Sequence, residues 1–233
     1  DVEESLYFGD LDYMRGFISD SENYRKIIEL MEEKPEGQPQ FIFNITIQNH
    51  GSYGYEGDDF KETEFCEGAS KDINQYLTIA HESDKAFKEL ITYFEDDEED
   101  TIILLFGDHQ PALDMPYQFL FADPANEVEV HESNYTVPYV MWANYDVDWE
   151  EQEITSLNYL SAILKQNAGL PADSWDSFRM ELMQKYPAIN SYGVVDADGN
   201  YLKLNDVIAE SDAVKEYRNL QYYRSFDAVK QSK

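Results

Sequence analysis

Residues 101–109 read Thr101-Ile102-Ile103-Leu104-Leu105-Phe106-Gly107-Asp108-His109. The first six are apolar or β-branched and show no polar alternation, which predicts a strand buried on both faces, as in a parallel sheet. Ligands of open α/β sheets bind beyond the carboxyl ends of such strands, where we expect Asp108 and His109. A carboxylate beside an imidazole is half of a divalent-metal site and favours metal-assisted chemistry on a phosphate or sulfate ester.

A second strand end also carries a histidine. Residues 41–47, Phe-Ile-Phe-Asn-Ile-Thr-Ile, predict a strand, and Gln-Asn-His50 follows it directly. His50 is therefore expected at the same kind of position as His109. The other two histidines, His81 in a long helix and His131 in an acidic loop, are expected in surface or structurally satisfied positions.

Helical and strand patterns alternate along the rest of the chain. Ser19 and Glu22 form a capping-box pattern that starts an amphipathic helix, and a second helix is predicted over residues 74–94, with Asp84 interrupting its apolar stripe. We expect Asp84 to bond to the backbone of a neighbouring loop. Prolines exclude regular structure after His109 to about residue 134, and further elements are predicted later in the chain: a strand at 137–143, helices after 156 and around 175–182, a β-hairpin at 192–204 and a helical tail.

This order predicts an α/β fold. We expect a mixed, mostly parallel sheet with helices on both faces, followed by a C-terminal β-hairpin and helix. The predicted division is residues 1–170 and residues 171–233, the second part packing on the first.

Composition limits the partners. The chain has 17 Lys and Arg against 48 Asp and Glu, a formal net charge of −31. A field of that sign repels nucleic acid, so nucleic acid is not an expected partner. An anionic substrate would be repelled too, and a bound metal is the economical source of a local cation. Cys66 is the only cysteine, which excludes an intrachain disulfide.

Two other kinds of site are discounted. Asp196-Ala-Asp198-Gly-Asn resembles the start of a calcium loop, but Val207 stands where the bidentate glutamate is required. The sequence also lacks a Gly-x-Ser-x-Gly elbow and a glycine-rich phosphate loop, so serine hydrolase chemistry is unsupported.

Several segments together resemble lipoteichoic acid synthase-like proteins, which are sulfatase-type members of the alkaline phosphatase superfamily. The resemblance extends from about Ser19 to Leu170 and, more loosely, from Tyr217 to Phe226. The segments that carry it, in the order and spacing of that family, are residues 43–50, 83–86, 102–109, 137–143 and 158–170.

The resemblance implies a manganese-type site, with Zn or Mg as alternatives, in which Asp108 and His109 bind the metal. His50 would contact the phosphoglycerol group of the substrate, which would be derived from phospholipid or carried on a polymer. The implied chemistry is phosphoryl-group transfer through a covalent threonine intermediate. Family members place this catalytic domain outside the cytoplasm, behind several N-terminal membrane helices.

One departure from the family pattern changes the expectation for the chain alone. In that family the catalytic threonine and a metal-binding glutamate come from upstream of the first matched segment, and we identify no catalytic residue in this chain. We therefore expect the C-terminal half of a sulfatase-like catalytic domain, inactive and weak in metal binding without the missing N-terminal half. The alternative is a non-catalytic acidic interaction or cation-binding module on the same fold. Phosphoethanolamine transfer and sulfate-ester hydrolysis share the metal chemistry and remain open.

Overall fold

The computed structural model describes residues 11–113, 125–148 and 154–227. They fall into two compact units. The first contains described residues 11–103, 110–113 and 142–145, and the second contains residues 104–109, 125–141, 146–148 and 154–227. The predicted division at residue 170 stays a prediction.

The first unit is built on a short hairpin and two helices. Strands β1 (Tyr13–Met14) and β2 (Phe17–Ile18) pair antiparallel, followed by helices α1 (Asp20–Glu33) and α2 (Lys71–Glu95). The N-cap predicted at Ser19 is confirmed, because its hydroxyl accepts the backbone N–H of Glu22 at 3.1 Å. The two helices share a buried apolar cluster, in which each large side chain stabilises the fold by roughly 1.5–3 kcal/mol. The cluster consists of Tyr24, Ala86, Phe87, Leu90 and Phe94.

The apolar stripe predicted for α2 is confirmed at Phe87 and Phe94, which are buried, and is wrong at Asp84, which is exposed. The spacing of threes and fours fits more than one face of a long helix, and packing against α1 selects the face. The expected loop contact is made instead by Ser83, one residue earlier.

The strand predicted over residues 41–47 is also wrong for the described part of the chain. The segment is not paired with any described strand, and Phe41, Phe43 and Ile45 are 79%, 69% and 73% exposed. The apolar pattern marks a segment able to enter a sheet, but a strand forms only where a neighbour supplies hydrogen-bond partners. Within residues 11–113, 125–148 and 154–227 the paired strands run antiparallel, so the predicted parallel pairing is not found there.

The strand predicted before Asp108 is confirmed as β3 (Ile102–Phe106), next to β4 (Tyr139–Ala143). The Gly107 N–H donates to the Pro138 carbonyl and the Asn144 N–H to the Thr101 carbonyl, each at 3.1 Å, so the two strands run in opposite directions. Burial on both faces is wrong, because Leu105 and Phe106 are 36% and 37% exposed. Among the described strands β3 has one neighbour rather than two.

The second unit packs helices around a three-stranded antiparallel sheet. Strand β6 pairs with both β5 and β7, which confirms the predicted hairpin. His131 lies in a helix rather than the loop expected from its acidic neighbours, because Asn126 caps that helix through the N–H groups of Val128 and Glu129. The elements are α3 (Glu127–Ser133), α4 (Leu157–Asn167), α5 (Ser174–Lys185), β5 (Ala188–Ile189), β6 (Gly193–Val195), β7 (Tyr201–Lys203), α6 (Leu204–Glu210), α7 (Asp212–Tyr222) and a π-helix (Tyr223–Asp227).

The α/β class is thus confirmed, with a C-terminal hairpin and helices as predicted. Part of the irregular stretch predicted after His109, including Pro116 and Pro124, lies outside the described residues. None of the helices in the described ranges is both long enough and apolar enough to cross a membrane.

Candidate functional site

His50 lies on an exposed turn of the first unit. Its backbone N–H donates to the Ile47 carbonyl at 3.0 Å, and its ring packs on Phe17 with centroids 5.7 Å apart. The ring Nδ1 lies 2.8 Å from the Gly51 carbonyl oxygen. A carbonyl can only accept, so this contact is a hydrogen bond when the proton is on Nδ1, and the neutral ring then presents Nε2 as an acceptor.

The turn that carries His50 is fixed by hydrogen bonds from the buried side chain of Arg15, which is 4% exposed. Its guanidinium donates from Nη2 to the carbonyls of His50 at 2.7 Å and Gln48 at 3.2 Å. Nη1 donates to the Ser52 carbonyl at 2.8 Å and to Gln75 Oε1 at 3.2 Å. All four acceptors are neutral, and among the described residues Arg15 forms no ion pair with a carboxylate.

A second set of hydrogen bonds joins the turn to both helices through Ser83. Its hydroxyl donates to Asp20 Oδ2 at 2.5 Å and accepts from Gln48 Nε2 at 3.0 Å and Asn49 Nδ2 at 2.8 Å. Gln48 Oε1 in turn accepts the Asp20 backbone N–H at 2.9 Å. Burial raises the pKa of Asp20, and the bonds from Ser83 and Gln48 act in the opposite direction. The residues just before His50 are therefore fixed by buried polar contacts.

A cavity of about 440 Å³ lies beside this turn, within the first unit. It is lined by Arg15, Phe17, Tyr55, Glu56 and glycine and serine residues of the segment 51–54. Tyr55 donates its hydroxyl to Asp59 at 2.6 Å, and Glu56 accepts from Lys71 at 3.1 Å. Aromatic and charged groups thus face one space next to His50.

Asp108 and His109 lie directly after β3, in the second unit. Their side chains are 84% and 68% exposed, and Asp108 Oδ2 is 3.8 Å from His109 Nε2. Asp108 Oδ1 accepts the backbone N–H of His109 at 2.9 Å. The preceding residue, Gly107, lies where a side chain would be crowded, because an added Cβ would be 3.0 Å from the Cβ of Val137. The two predicted ligands are neighbours in the sequence with exposed side chains, whereas His50 belongs to the other unit.

The implied metal can be tested against these donors. Oxygen and nitrogen suit a divalent transition metal, but a stable protein site needs three or four ligands. Across residues 11–113, 125–148 and 154–227 no group of three or more His, Cys, Asp or Glu side chains could hold an ion. The described residues therefore supply part of a donor set and do not fit a complete metal site.

The other histidines keep structural contacts. His81 is exposed and packs edge-on against Phe65, with centroids 5.2 Å apart. His131 stacks on Tyr192 at 3.6 Å. Arg15 was not among the predicted site residues. Its signal is the Arg-Gly pair between Tyr13-Met14 and Phe17-Ile18, a two-residue connection typical of a hairpin.

Comparison with known proteins places this chain in a family. The sulfatase family matches residues 3–168. A protein of Rhizobium meliloti (strain 1021) named for cyclic beta-1,2-glucan modification is 25% identical over 224 residues, covering 90% of this chain and 34% of the relative. Among solved structures, Streptococcus pyogenes phosphoglycerol transferase GacH in complex with sn-glycerol-1-phosphate has a TM-score of 0.63 at 19% identity.

That structural match covers 92% of this chain and 51% of GacH. The chain thus spans about a third of the Rhizobium relative and about half of the streptococcal one. The fold likeness agrees with the sulfatase-type resemblance found in the sequence. Because the family match covers well over half of the chain, this protein belongs to the sulfatase family, as a sulfatase-type protein of the alkaline phosphatase superfamily.

Proposed function

We propose that this chain is part of a cell-envelope enzyme that transfers or hydrolyses phosphoglycerol or related phosphate esters, of the lipoteichoic acid synthase type. The observation that carries the proposal is the position of Asp108 and His109, adjacent and exposed directly after β3. The fold shared with a phosphoglycerol transferase that binds sn-glycerol-1-phosphate supports the same chemistry.

The named residues have separate roles. Asp108 and His109 provide two ligands of a divalent metal, Mn in the first instance and Zn or Mg as alternatives, and further ligands come from outside the described residues. When bound, such a metal supplies charge neutralisation at the phosphate oxygens. His50 contacts the phosphoglycerol group through Nε2. This nitrogen accepts a hydrogen bond from a glycerol hydroxyl when the ring is neutral, and it donates a hydrogen bond to a phosphate oxygen when the ring is charged.

The remaining parts of the enzyme are expected beyond this chain. They are the threonine nucleophile, a metal-binding glutamate and N-terminal membrane helices that place the domain outside the cytoplasm. The substrate is a phosphoglycerol ester of phospholipid origin or carried on a polymer. Without the missing N-terminal half of the domain, we expect the chain alone to be inactive.

The proposal is tested on a longer protein that matches the full length of the relatives. The assay follows release of glycerol phosphate with added Mn²⁺, in the unchanged protein and in Asp108→Asn, His109→Gln and His50→Gln. We expect losses of at least about 100-fold for the two ligand variants, because second-shell changes alone cost 10–100-fold. Asp84→Asn is the matched control, since Asp84 is an exposed acid on α2. Undiminished turnover in Asp108→Asn would overturn the proposal.

The formal charge of −31 favours a second candidate, a non-catalytic acidic module that binds cations or a basic partner. Such a module would bind Mn²⁺ diffusely, so Asp108→Asn and Asp84→Asn would weaken binding equally. A site at Asp108 would be weakened by the first change alone.

A further inference from the structure

We propose that Arg15 is a positioning residue for His50: the hairpin that carries Arg15 and Phe17 holds the imidazole in one orientation and one tautomer. What His50 contacts rests on the proposed function, but its positioning is a property of the chain itself.

Arg15 occupies a position of the hairpin turn at which arginine is rare. Arg15 and Gly16 have φ values of 55° and 80°, the two positive angles of a type I′ turn, at which Asn, Asp and Gly are usual. A residue with a Cβ is disfavoured there. Such strain persists where surrounding contacts fix it, and four hydrogen bonds of the Arg15 guanidinium do so.

The guanidinium fixes the backbone on both sides of His50. Three of its four acceptors are the carbonyls of Gln48, His50 and Ser52, and the shortest bond, 2.7 Å, goes to His50 itself. A planar fork with five donors can span alternate carbonyls in this way, whereas a lysine ammonium cannot match the same geometry. The two Nη groups of the buried guanidinium donate to the turn and to Gln75 rather than to a carboxylate, while Nε has no partner, so we infer that the arginine serves to shape that turn.

Phe17 fixes the ring from the same hairpin. It packs on His50 at 5.7 Å between centroids, and the Arg15 guanidinium lies 5.9 Å from its centroid. The Gly51 carbonyl, 2.8 Å from Nδ1, is set by the same turn and selects the tautomer protonated at Nδ1. Nε2 is then left as the ring nitrogen available to a ligand.

The test measures the tautomer of His50 by histidine side-chain ¹⁵N NMR on the full chain, with signals assigned through His50→Gln. We expect one neutral tautomer, protonated at Nδ1, in the unchanged protein. In Arg15→Met we expect a mixture of tautomers or loss of the His50 signal by exchange. In Arg15→Lys we expect the population of the tautomer protonated at Nδ1 to be partly restored. Arg25→Met is the control, because Arg25 is an arginine of the same unit with 49% side-chain exposure, and it should leave His50 unchanged.

Phe17→Leu removes none of the groups that form the four hydrogen bonds of Arg15. It is the second test variant and decides the question if Arg15→Met fails to fold. We expect it to broaden the ring signals of His50 while the backbone shifts of residues 48–52 stay in place. The proposal is overturned if a folded Arg15→Met keeps the original tautomer, or if Phe17→Leu leaves the ring signals sharp. Failure of the proposed function looks different: His50→Gln would leave turnover intact in the longer protein, while the tautomer of His50 would still depend on Arg15.

Discussion

Ser83 is the residue whose loss should most directly loosen the turn that carries His50. In Ser83→Ala, Asp20 loses a charge-assisted hydrogen bond, and Gln48 and Asn49 each lose an acceptor. Asp20 and Gln48 are both 2% exposed, so water cannot replace the lost partner without opening the structure.

The expected cost follows from these bonds. A hydrogen bond to a charged group contributes roughly 1.5–3 kcal/mol and a neutral one roughly 0.5–1.5 kcal/mol. Gln48 keeps a bond from Nε2 to the Ile79 carbonyl at 3.3 Å, and alanine is the better helix former by roughly 0.5 kcal/mol. We therefore expect Ser83→Ala to lower the local free energy of unfolding by about 2–4 kcal/mol.

The pH dependence has a definite sign. Burial already holds the pKa of Asp20 above its usual value, and removing Ser83 takes away a bond that lowers it. The pKa of Asp20 should therefore be higher in the variant than in the unchanged protein. The deficit of Ser83→Ala is then full when Asp20 is ionised in both, and it shrinks as the pH falls through these raised pKa values.

Native-state hydrogen exchange of the amides in α1 and α2 measures this free energy for the unit concerned. Ser21→Ala is the matched control, because Ser21 is an exposed serine of α1 whose hydroxyl donates a long bond, 3.5 Å, to Glu89 Oε2. If the local free energy of unfolding of Ser83→Ala lay within about 0.5 kcal/mol of that of the control, the reasoning would be refuted, since substitutions at exposed positions have effects of that size.

Two further predictions concern the second unit. The Lys165 ammonium beside Asp176 holds the pKa of that buried carboxyl at about 2, so about 2 kcal/mol of stability is present above pH 3.8 and lost as the pH falls through 2. Urea unfolding should show Asp176→Asn less stable than the unchanged protein by about this amount at pH 6 and by a smaller amount at pH 2, and an equal difference at these two pH values would contradict the prediction. Gly193→Ala should cost about 1–3 kcal/mol, because the new Cβ would lie 2.7 Å from Glu132 Oε1 and from Val128 Cγ1. Gly54→Ala, with no atom within 4 Å, is its control, and equal melting temperatures would exclude the clash.

Local patterns predicted the elements whose causes are local. Ser19 caps α1 through its own hydroxyl, and the hairpin of β6 and β7 follows from a turn in which Asp196 accepts the N–H groups of Asp198 and Asn200. The position of Asp108 at the end of β3 was predicted in the same way. Each of these depends on residues at most a few positions apart.

Features that depend on distant partners were not predictable. The segment 41–47 has the pattern of a strand but no described neighbour to pair with. The buried face of α2 depends on α1, so Asp84 was placed on the wrong side. Arg15 makes its contacts 33 to 60 residues away along the chain, and no pattern near residue 15 reports them.

The most direct test of the proposed site is the effect of Mn²⁺ on the four histidine ring signals of the chain. Mn²⁺ broadens the NMR signals of nearby nuclei, so a metal site at Asp108 and His109 should broaden the His109 signals and leave those of His81 and His131 sharp. Asp108→Asn should abolish this effect on His109. Equal broadening of all the histidine signals, or unchanged broadening of His109 in Asp108→Asn, would contradict a metal site at these two residues.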